Sequence, residues 1–257
     1  MFESVLGFDI AKTDKETLLN EIAIHITNSK KLKWFLCFNA HSYHLSKIDT
    51  DFCLSANNAN WIAPDGSGLI LASTLLGGVI RDRITGFDLF VGLSAKLNQN
   101  RAVKVFFLGS TKQNLKLIEK KYSKDFPNIS VVGSYSPSFK ESFSYNENEH
   151  MLNLVNSSKA DLLWVGLTQP KQEKWIYLNR NRLKVKLAAP IGAVFDFYAG
   201  TIKRPHALFQ KFGIETIGRF IQNPQKMWRR NLVSIPFFLW MLSKEFATIK
   251  FRNLFKK

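Results

Sequence analysis

Asp65 lies in the stretch WIAPDGSG, residues 61 to 68, after a short apolar run and between Pro64 and two near-adjacent glycines, Gly66 and Gly68. A carboxylate in that setting either caps the helix that the following apolar stretch predicts or takes a proton from a bound alcohol as a general base. The two roles pull its acidity in opposite directions, because a helix dipole lowers a carboxyl pKa and desolvation raises it. FFLGST (106–111) offers Gly109, Ser110 and Thr111 at a strand-to-helix turn. Glycine lets the backbone approach a phosphate and free N–H groups at a helix start attract one, although an ordinary turn with Thr111 as N-cap has the same sequence. In TQPKQEKWI (168–176), Pro170 suits a first helical turn, and Lys171, Gln172 and Glu173 crowd that helix end. Dipole capping alone explains Glu173, whereas a Lys and a Gln beside it suggest hydrogen bonds to a ligand.

Arg81 and Arg83 in RDRITGFD, and Arg229 and Arg230 near the chain end, carry the planar fork that suits phosphate, with a solvated surface as the default for each. Asp49 and Asp51 have the spacing of a divalent-cation site, but they follow a helix away from the strand ends, where solvated polarity is the expected role. His25, His44, His150 and His206 show no metal-ligand spacing and are expected at the surface or in packing. No G-x-G-x-x-G and no Walker sequence occurs, which argues against a dinucleotide-dependent dehydrogenase and a P-loop NTPase.

These groups need a scaffold that gathers them. Short β-branched or aromatic runs predict strands near 33–38, 60–63, 103–108, 129–133, 161–166 and 185–191, alternating with helices over 14–29, 41–48, 67–76, 86–99, 111–124, 146–158 and 171–181. That alternation is the pattern of an α/β fold, a Rossmann-like parallel sheet with flanking helices. Ligands of such sheets bind at the carboxyl ends of strands, and the polar punctuation falls there: Asn39 and His41, Asp65, Gly109 to Thr111, and GLTQPKQE. After Gly200 only helical signals remain, at 213–222, 224–231 and about 232–250. In the last of these, Leu232, Ile235, Leu239, Leu242, Phe246 and Ile249 form one apolar stripe with Lys244, Lys250 and Arg252 nearby.

Thirty-six Lys plus Arg against twenty Asp plus Glu give a net charge of +16, and twelve Lys/Arg against two Glu between Lys203 and Lys257 supply +10 of it. Such a surface attracts nucleic acid, phospholipid or a phosphorylated substrate. The apolar run LVSIPFFLWML is short of the roughly 18 to 20 residues that span a bilayer, so the expectation is a helix lying in a membrane interface or packed on the core, not crossing. The first residues lack a basic and then apolar leader, so export is not expected. Cys37 and Cys53 read as reduced thiols without metal spacing. Trp228 and Trp240 are expected to be buried in core or membrane.

As an ordered set, the segments resemble the WecG/TagA/CpsF glycosyltransferases of bacterial surface polysaccharide assembly. The resemblance runs from about Leu6 to Phe238 and rests on Asn39, PDGSGLI (64–70), RITGFDLF (83–90), VFFLGS (105–110), ADLLWVGLTQPKQEKWI (160–176), IGAVFDFYAGTIKRP (191–205) and FGIETIGRFIQNPQKMWRR (212–230). It implies inverting transfer of a sugar, often of N-acetylmannosamine type, from a UDP donor to a polyprenyl-diphosphate-linked sugar in surface polysaccharide or teichoic acid synthesis. It also implies no required metal or other cofactor, a cytoplasmic protein attached peripherally to the inner face of the membrane, and homo-oligomers. The division implied is a core over 1–202 and a basic helical membrane-docking appendage over 203–257.

On this resemblance Asp65 is the base, and Arg83, the N–H groups after Gly109 and the appendage arginines Arg219, Arg229 and Arg230 neutralise the leaving diphosphate. Asn39 and Gln172 orient sugar hydroxyls, and Asp196 binds the nucleoside. Gly66, Ser110, Gly166, Gln169, Lys171 and Arg204 fall at substrate-binding positions. Two departures stand out: Cys37 replaces a Thr, and Arg204-Pro205-His206 replaces Arg-Ala-Pro. The competing expectations are another sugar-nucleotide enzyme such as an epimerase, which consumes donor without acceptor, and a basic nucleic-acid-binding module, which the resemblance disfavours.

Overall fold

Runs of apolar residues bounded by polar turns form the six strands of one all-parallel sheet in the computed structural model, which describes residues 2–100, 103–205, 215–222 and 224–254. The strands are β3 (Lys33–Phe38), β4 (Trp61–Pro64), β5 (Val103–Gly109), β6 (Ile129–Tyr135), β7 (Leu162–Gly166) and β8 (Leu187–Pro190), in the order β4-β3-β8-β7-β5-β6. Helices α1 (Lys15–Asn28), α2 (Ala40–Ile48), α4 (Ser67–Leu75), α5 (Gly86–Asn100), α6 (Lys112–Asp125), α7 (Tyr145–Ser157) and α8 (Lys171–Asn179) cover its faces where periodicity predicts them. The strands read as near-continuous apolar runs because both faces are covered. Phe35, Phe107 and Trp164 enter one buried cluster, while Trp34, Phe106 and Leu163 enter the opposite one.

One hairpin and two helices escape the sequence pattern. Strands β1 (Phe2–Val5) and β2 (Phe8–Ala11) form an antiparallel hairpin turned by Leu6 and Gly7, both at positive φ, as a two-residue primed turn requires. Helix α3 (Thr50–Asn57) follows α2 with only Asp49 between them. The Asp49 N–H donates to the Leu45 carbonyl, and its carboxylate accepts from the Phe52 N–H, so one residue ends one helix and caps the next. Helix α9 (Val194–Ala199) is a short turn after β8, closed by Gly200 in the left-handed region.

The C-terminal part contains α10 (Glu215–Gln222), α11 (Pro224–Trp228), a π-helical segment over Arg229–Ser234 and α12 (Ile235–Leu254). The expected residues 213 and 214 fall outside the described residues. Of the expected apolar stripe only Leu242 is buried in the core. Ser234, Phe238 and Leu242 are buried, Phe238 and Leu242 in a cluster with Val5, Phe38, Tyr43 and Leu69, whereas Leu232, Leu239 and Phe246 are exposed. Arg229–Arg252 is nevertheless one 24-residue helical stretch whose most apolar 18-residue window has a mean hydropathy of 1.4, long and apolar enough by length and composition to cross a membrane. Trp228 and Trp240, expected to be buried in core or membrane, are exposed on the protein and so are not core residues.

Candidate active site

Asp65 sits in the turn between β4 and α4, at the carboxyl edge of the sheet. Its N–H donates to the Phe38 carbonyl at 2.8 Å, and the Ile84 N–H donates to the Pro64 carbonyl at 2.8 Å, so the turn is tied on both sides. Asp65 is not the helix cap. Gly66, at φ +99°, occupies that position and α4 has no side-chain cap. Asn39 Nδ2 donates to Asp65 Oδ2 at 3.3 Å, while Asn39 Oδ1 accepts from the His41 and Ser42 N–H groups at the start of α2, which fixes the amide's orientation. The Asp65 carboxylate is half-buried. Burial raises its pKa; Arg230, the Asn39 hydrogen bond and Arg83 pull it back, and Glu215 pushes it further up. Desolvation wins over any helix dipole, and the resulting carboxylate is a stronger base than a free one.

Two cationic groups flank this turn. Arg83 Nη1 lies 3.7 Å from Glu215 Oε2, and the same oxygen is 3.4 Å from Arg204 Nη2. Arg204 stacks on Phe87 with its guanidinium 4.3 Å from the ring centre. From the C-terminal part, Ser234 Oγ lies 2.8 Å from His41 Nδ1 and 2.9 Å from His44 Nδ1, anchoring the π segment on α2. His44 is therefore in packing, as one of the two expectations had it. His41 is pushed down to about 4 by burial, then by Arg230 and His44, so it stays neutral near pH 7. Arg230, four residues before Ser234, acts on both His41 and Asp65.

A second polar group gathers at the same edge from the loops after β5 and β8. Asn114 Nδ2 donates to Asp196 Oδ1 at 2.7 Å and to Ser110 Oγ at 3.1 Å. Ser110 has φ +56° and Gly109 φ +117°, and a Cβ at Gly109 would lie 2.5 Å from the Gly166 carbonyl oxygen. Glycine at 109 is thus forced by close approach of two strands, and a Cβ on Gly166 would meet the Phe195 ring. Thr111 caps α6 through the Asn114 N–H, as expected. Between the two groups, Gln172 donates to Glu173 Oε1 at 2.9 Å and accepts from the Gly192 N–H at 3.0 Å. Gln169 donates to Glu173 Oε1 at 3.3 Å and to Ser42 Oγ at 3.1 Å.

Residues 3–252 match the family model described as the glycosyl transferase WecG/TagA/CpsF family. The chain belongs to that family. An N-acetylglucosaminyldiphosphoundecaprenol N-acetyl-beta-D-mannosaminyltransferase of Bacillus spizizenii is 32% identical over 180 residues, covering 70% of this chain and 66% of that protein. Proteins of the same name from Bacillus subtilis and Staphylococcus aureus strain MW2 are 28% and 26% identical, over 77% and 96% of this chain and 73% and 94% of their own.

In this WecG/TagA/CpsF glycosyltransferase the expected site residues divide into those the fold gathers and those it does not. Asp65, Gly66, Asn39, Arg83, Arg204 and Arg230 surround one turn; Gly109, Ser110, Gly166 and Asp196 form the second group. Gln172 is 5% exposed with its amide engaged by protein on both sides, so it braces the loops after β7 and β8 and does not present itself to a sugar as expected. Lys171 points to the loop before α7, donating to the Lys140 carbonyl between Phe139 and Phe143. Arg229 is exposed beside the Trp228 ring, apart from Asp65, and the Arg219 side chain lies outside the described residues, as does His206. Asp49 and Asp51 share Lys174, at 3.0 and 3.6 Å, so a protein cation already holds them. Arg81 braces the Gly78 and Ile80 carbonyls. His25 packs against the Lys31 and Lys186 carbonyls as expected. Burial and the nearby carboxylates of Asp65, Glu173 and Asp88 push the Cys37 thiol up, which keeps it protonated at the position where the resemblance implies a hydroxyl.

Glu173 is the residue that dipole capping concealed. It is 2% exposed, and its carboxyl is pushed up to about 7 by burial, against hydrogen bonds from Gln172 and Gln169 that lower it. A raised folded-state pKa means a stabilising contribution that is complete below the unfolded value and lost as pH rises through about 7. Chemical unfolding of wild type and Glu173→Gln from pH 5 to 8 should therefore show the wild-type stability falling relative to the variant by about 2 to 3 kcal/mol across that range. A pH-independent difference would mean that Glu173 does not titrate in the fold.

Proposed function

We propose that this glycosyltransferase moves an N-acetylmannosamine-type sugar from a UDP donor to a polyprenyl-diphosphate-linked N-acetylglucosamine, with inversion at the anomeric carbon. The observation that carries this reading is Asp65: a desolvated carboxylate held by Asn39 and faced by Arg83 and Arg230. An acceptor hydroxyl has a pKa far above neutrality and must shed its proton as it attacks; a carboxylate in reach takes it. The bond from the anomeric carbon to the donor's β-phosphate oxygen breaks on the opposite face, and its electrons stay with UDP. Arg83, Arg204 and Arg230 then meet the charge that develops there. The β-linkage in the relatives' names is what one such displacement gives from an α-linked donor. Ser110, Asn114 and Asp196 suit the nucleoside end, since they form a separate hydrogen-bonding cluster farther along the same edge. This reading moves the Gly109 turn, expected at the leaving diphosphate, to the nucleoside.

The acceptor's lipid argues for work at a membrane surface. Ser234, Phe238 and Leu242 hold α12 on the core, while Leu239, Trp240, Phe246 and Phe251 remain exposed beside Lys244, Lys250 and Arg252. Docked this way, the helix lies along an anionic bilayer and does not traverse it, with its exposed apolar face in the headgroup region. The test combines both halves. Full-length protein with UDP-N-acetylmannosamine and an N-acetylglucosamine-diphosphate-lipid should release UDP only when acceptor is present, keep its activity in a chelator, and sediment with phosphatidylglycerol vesicles. UDP release or donor epimerisation without acceptor would favour the other sugar-nucleotide reading, and chelator-sensitive activity restored by magnesium would overturn metal independence.

A further inference from the structure

The Arg83 and Arg204 guanidinium groups are arranged for a ligand that the protein imitates with its own side chain. A single Glu215 oxygen bridges them at 3.7 and 3.4 Å, both longer than a well-formed charge-assisted hydrogen bond. The three side chains are largely shielded, at 20%, 23% and 15% exposure. Arg204 lies over the Phe87 ring, yet among the described residues its buried Nε has no acceptor. A buried donor left unsatisfied is unusual and marks a place where a further oxygen belongs. Two guanidinium groups facing one carboxylate leave the pair with an excess positive charge. A dianionic diphosphate brings two charges and more oxygens than Glu215 can supply, including one for Arg204 Nε.

We propose that Glu215 is an internal stand-in for the donor's diphosphate, occupying the anion site between Arg83 and Arg204 in the unliganded protein and giving way when the nucleotide sugar binds. The inference rests on the reading of a UDP-linked donor. It assigns Glu215 a competing role, opposite to that of a tether whose loss would weaken the site. Its displacement also changes the ion pairing at the first residue of α10, which couples donor binding to the C-terminal elements that carry Arg230. The exchange of a carboxylate for a diphosphate keeps a negative charge beside Asp65, so the base remains in a field of similar sign before and after donor binding.

Calorimetric titration of full-length wild type, Glu215→Gln and Glu215→Asp with UDP and, separately, with inorganic pyrophosphate tests this. Removing a competitor held by two partly exposed ion pairs should tighten both ligands about three- to tenfold in Glu215→Gln. Glu215→Asp, which keeps the charge but draws it back, should fall between wild type and Gln, and it carries the test if Gln fails to fold. Unchanged or weaker pyrophosphate binding in the variants overturns the stand-in, whatever UDP does. Pyrophosphate bound more tightly by the variants, with UDP bound by none of the three proteins, would support the stand-in and remove the nucleotide reading instead.

Discussion

Replacing Asp65 by Asn is expected to slow sugar transfer by about a thousandfold or more, within the range that removal of a positioned general base produces, while leaving UDP affinity within about twofold of wild type. The substitution conserves shape, and the new carboxamide oxygen can still accept from Asn39 Nδ2. What disappears is the capacity to take a proton. The wild-type profile of kcat/KM against pH should have an acid limb displaced upward from that of an ordinary aspartate, because burial raises Asp65 more than Arg230, Asn39 and Arg83 lower it. Below that limb the carboxyl is protonated and cannot act; Asp65→Asn should show no such limb in its residual rate. Stability separates this loss from unfolding. A carboxyl whose folded-state pKa is raised loses its stabilising contribution as pH rises through that value, so near pH 8 the ionised Asp65 is a burden and the Asn variant should melt no lower than wild type. Transfer by Asp65→Asn at the wild-type rate would remove Asp65 as the base, and with it the observation on which the proposed function stands.

The range of the forces involved decides which features the sequence discloses and which it hides. Strands such as VKVFFLG are legible because burial on both faces makes them continuous apolar runs, and their ends are legible because Asn39, Asp65 and Ser110 interrupt those runs. Asp65 and Asn39 could be named without a structure, since both stand at strand ends where parallel sheets bind ligands. Their hydrogen bond could not, because it joins loops after two different strands. Glu173 was hidden for another reason: an acid in a first helical turn has a sufficient local explanation, and only the packing of α3 against α8, with Ser55 donating to the Glu173 carbonyl, reveals how deeply it is buried. The hairpin of β1 and β2 was missed because four-residue strands with charges at Glu3 and Asp9 carry too little alternation to register. The apolar stripe of the C-terminal part is legible as a stripe, but its period alone does not say which side meets the core: Leu242 is buried while Leu232, Leu239 and Phe246 are exposed, and that choice depends on contacts with distant residues such as Phe38 and Tyr43.

The π-helical segment decides which of two adjacent arginines matters, and Arg230→Gln tests it. Composition cannot distinguish Arg229 from Arg230. The fold does: Arg230, Ser234, Phe238 and Leu242 recur every four residues on the face that meets the core, whereas Arg229 is exposed beside Trp228. Arg230 is the strongest influence lowering the Asp65 carboxyl, so its loss should move the acid limb of kcat/KM to higher pH. It should also reduce turnover at neutral pH by about a hundredfold, the scale on which single preorganised donors to a developing anion act. The two effects have separate origins. The limb reports the ground-state field at the base, and the pH-independent rate above it reports stabilisation of the departing diphosphate. A contact that merely held the C-terminal helix in place would lower the rate without moving the limb, and Arg229→Gln, at an exposed position, should do neither to any large extent. Measured together across pH 5 to 9, the two variants therefore ask whether the C-terminal part supplies a charge to the chemistry or only a surface to the membrane. A shifted limb in Arg230→Gln alone requires that helix to be seated, by Ser234 on His41 and His44, during the reaction itself.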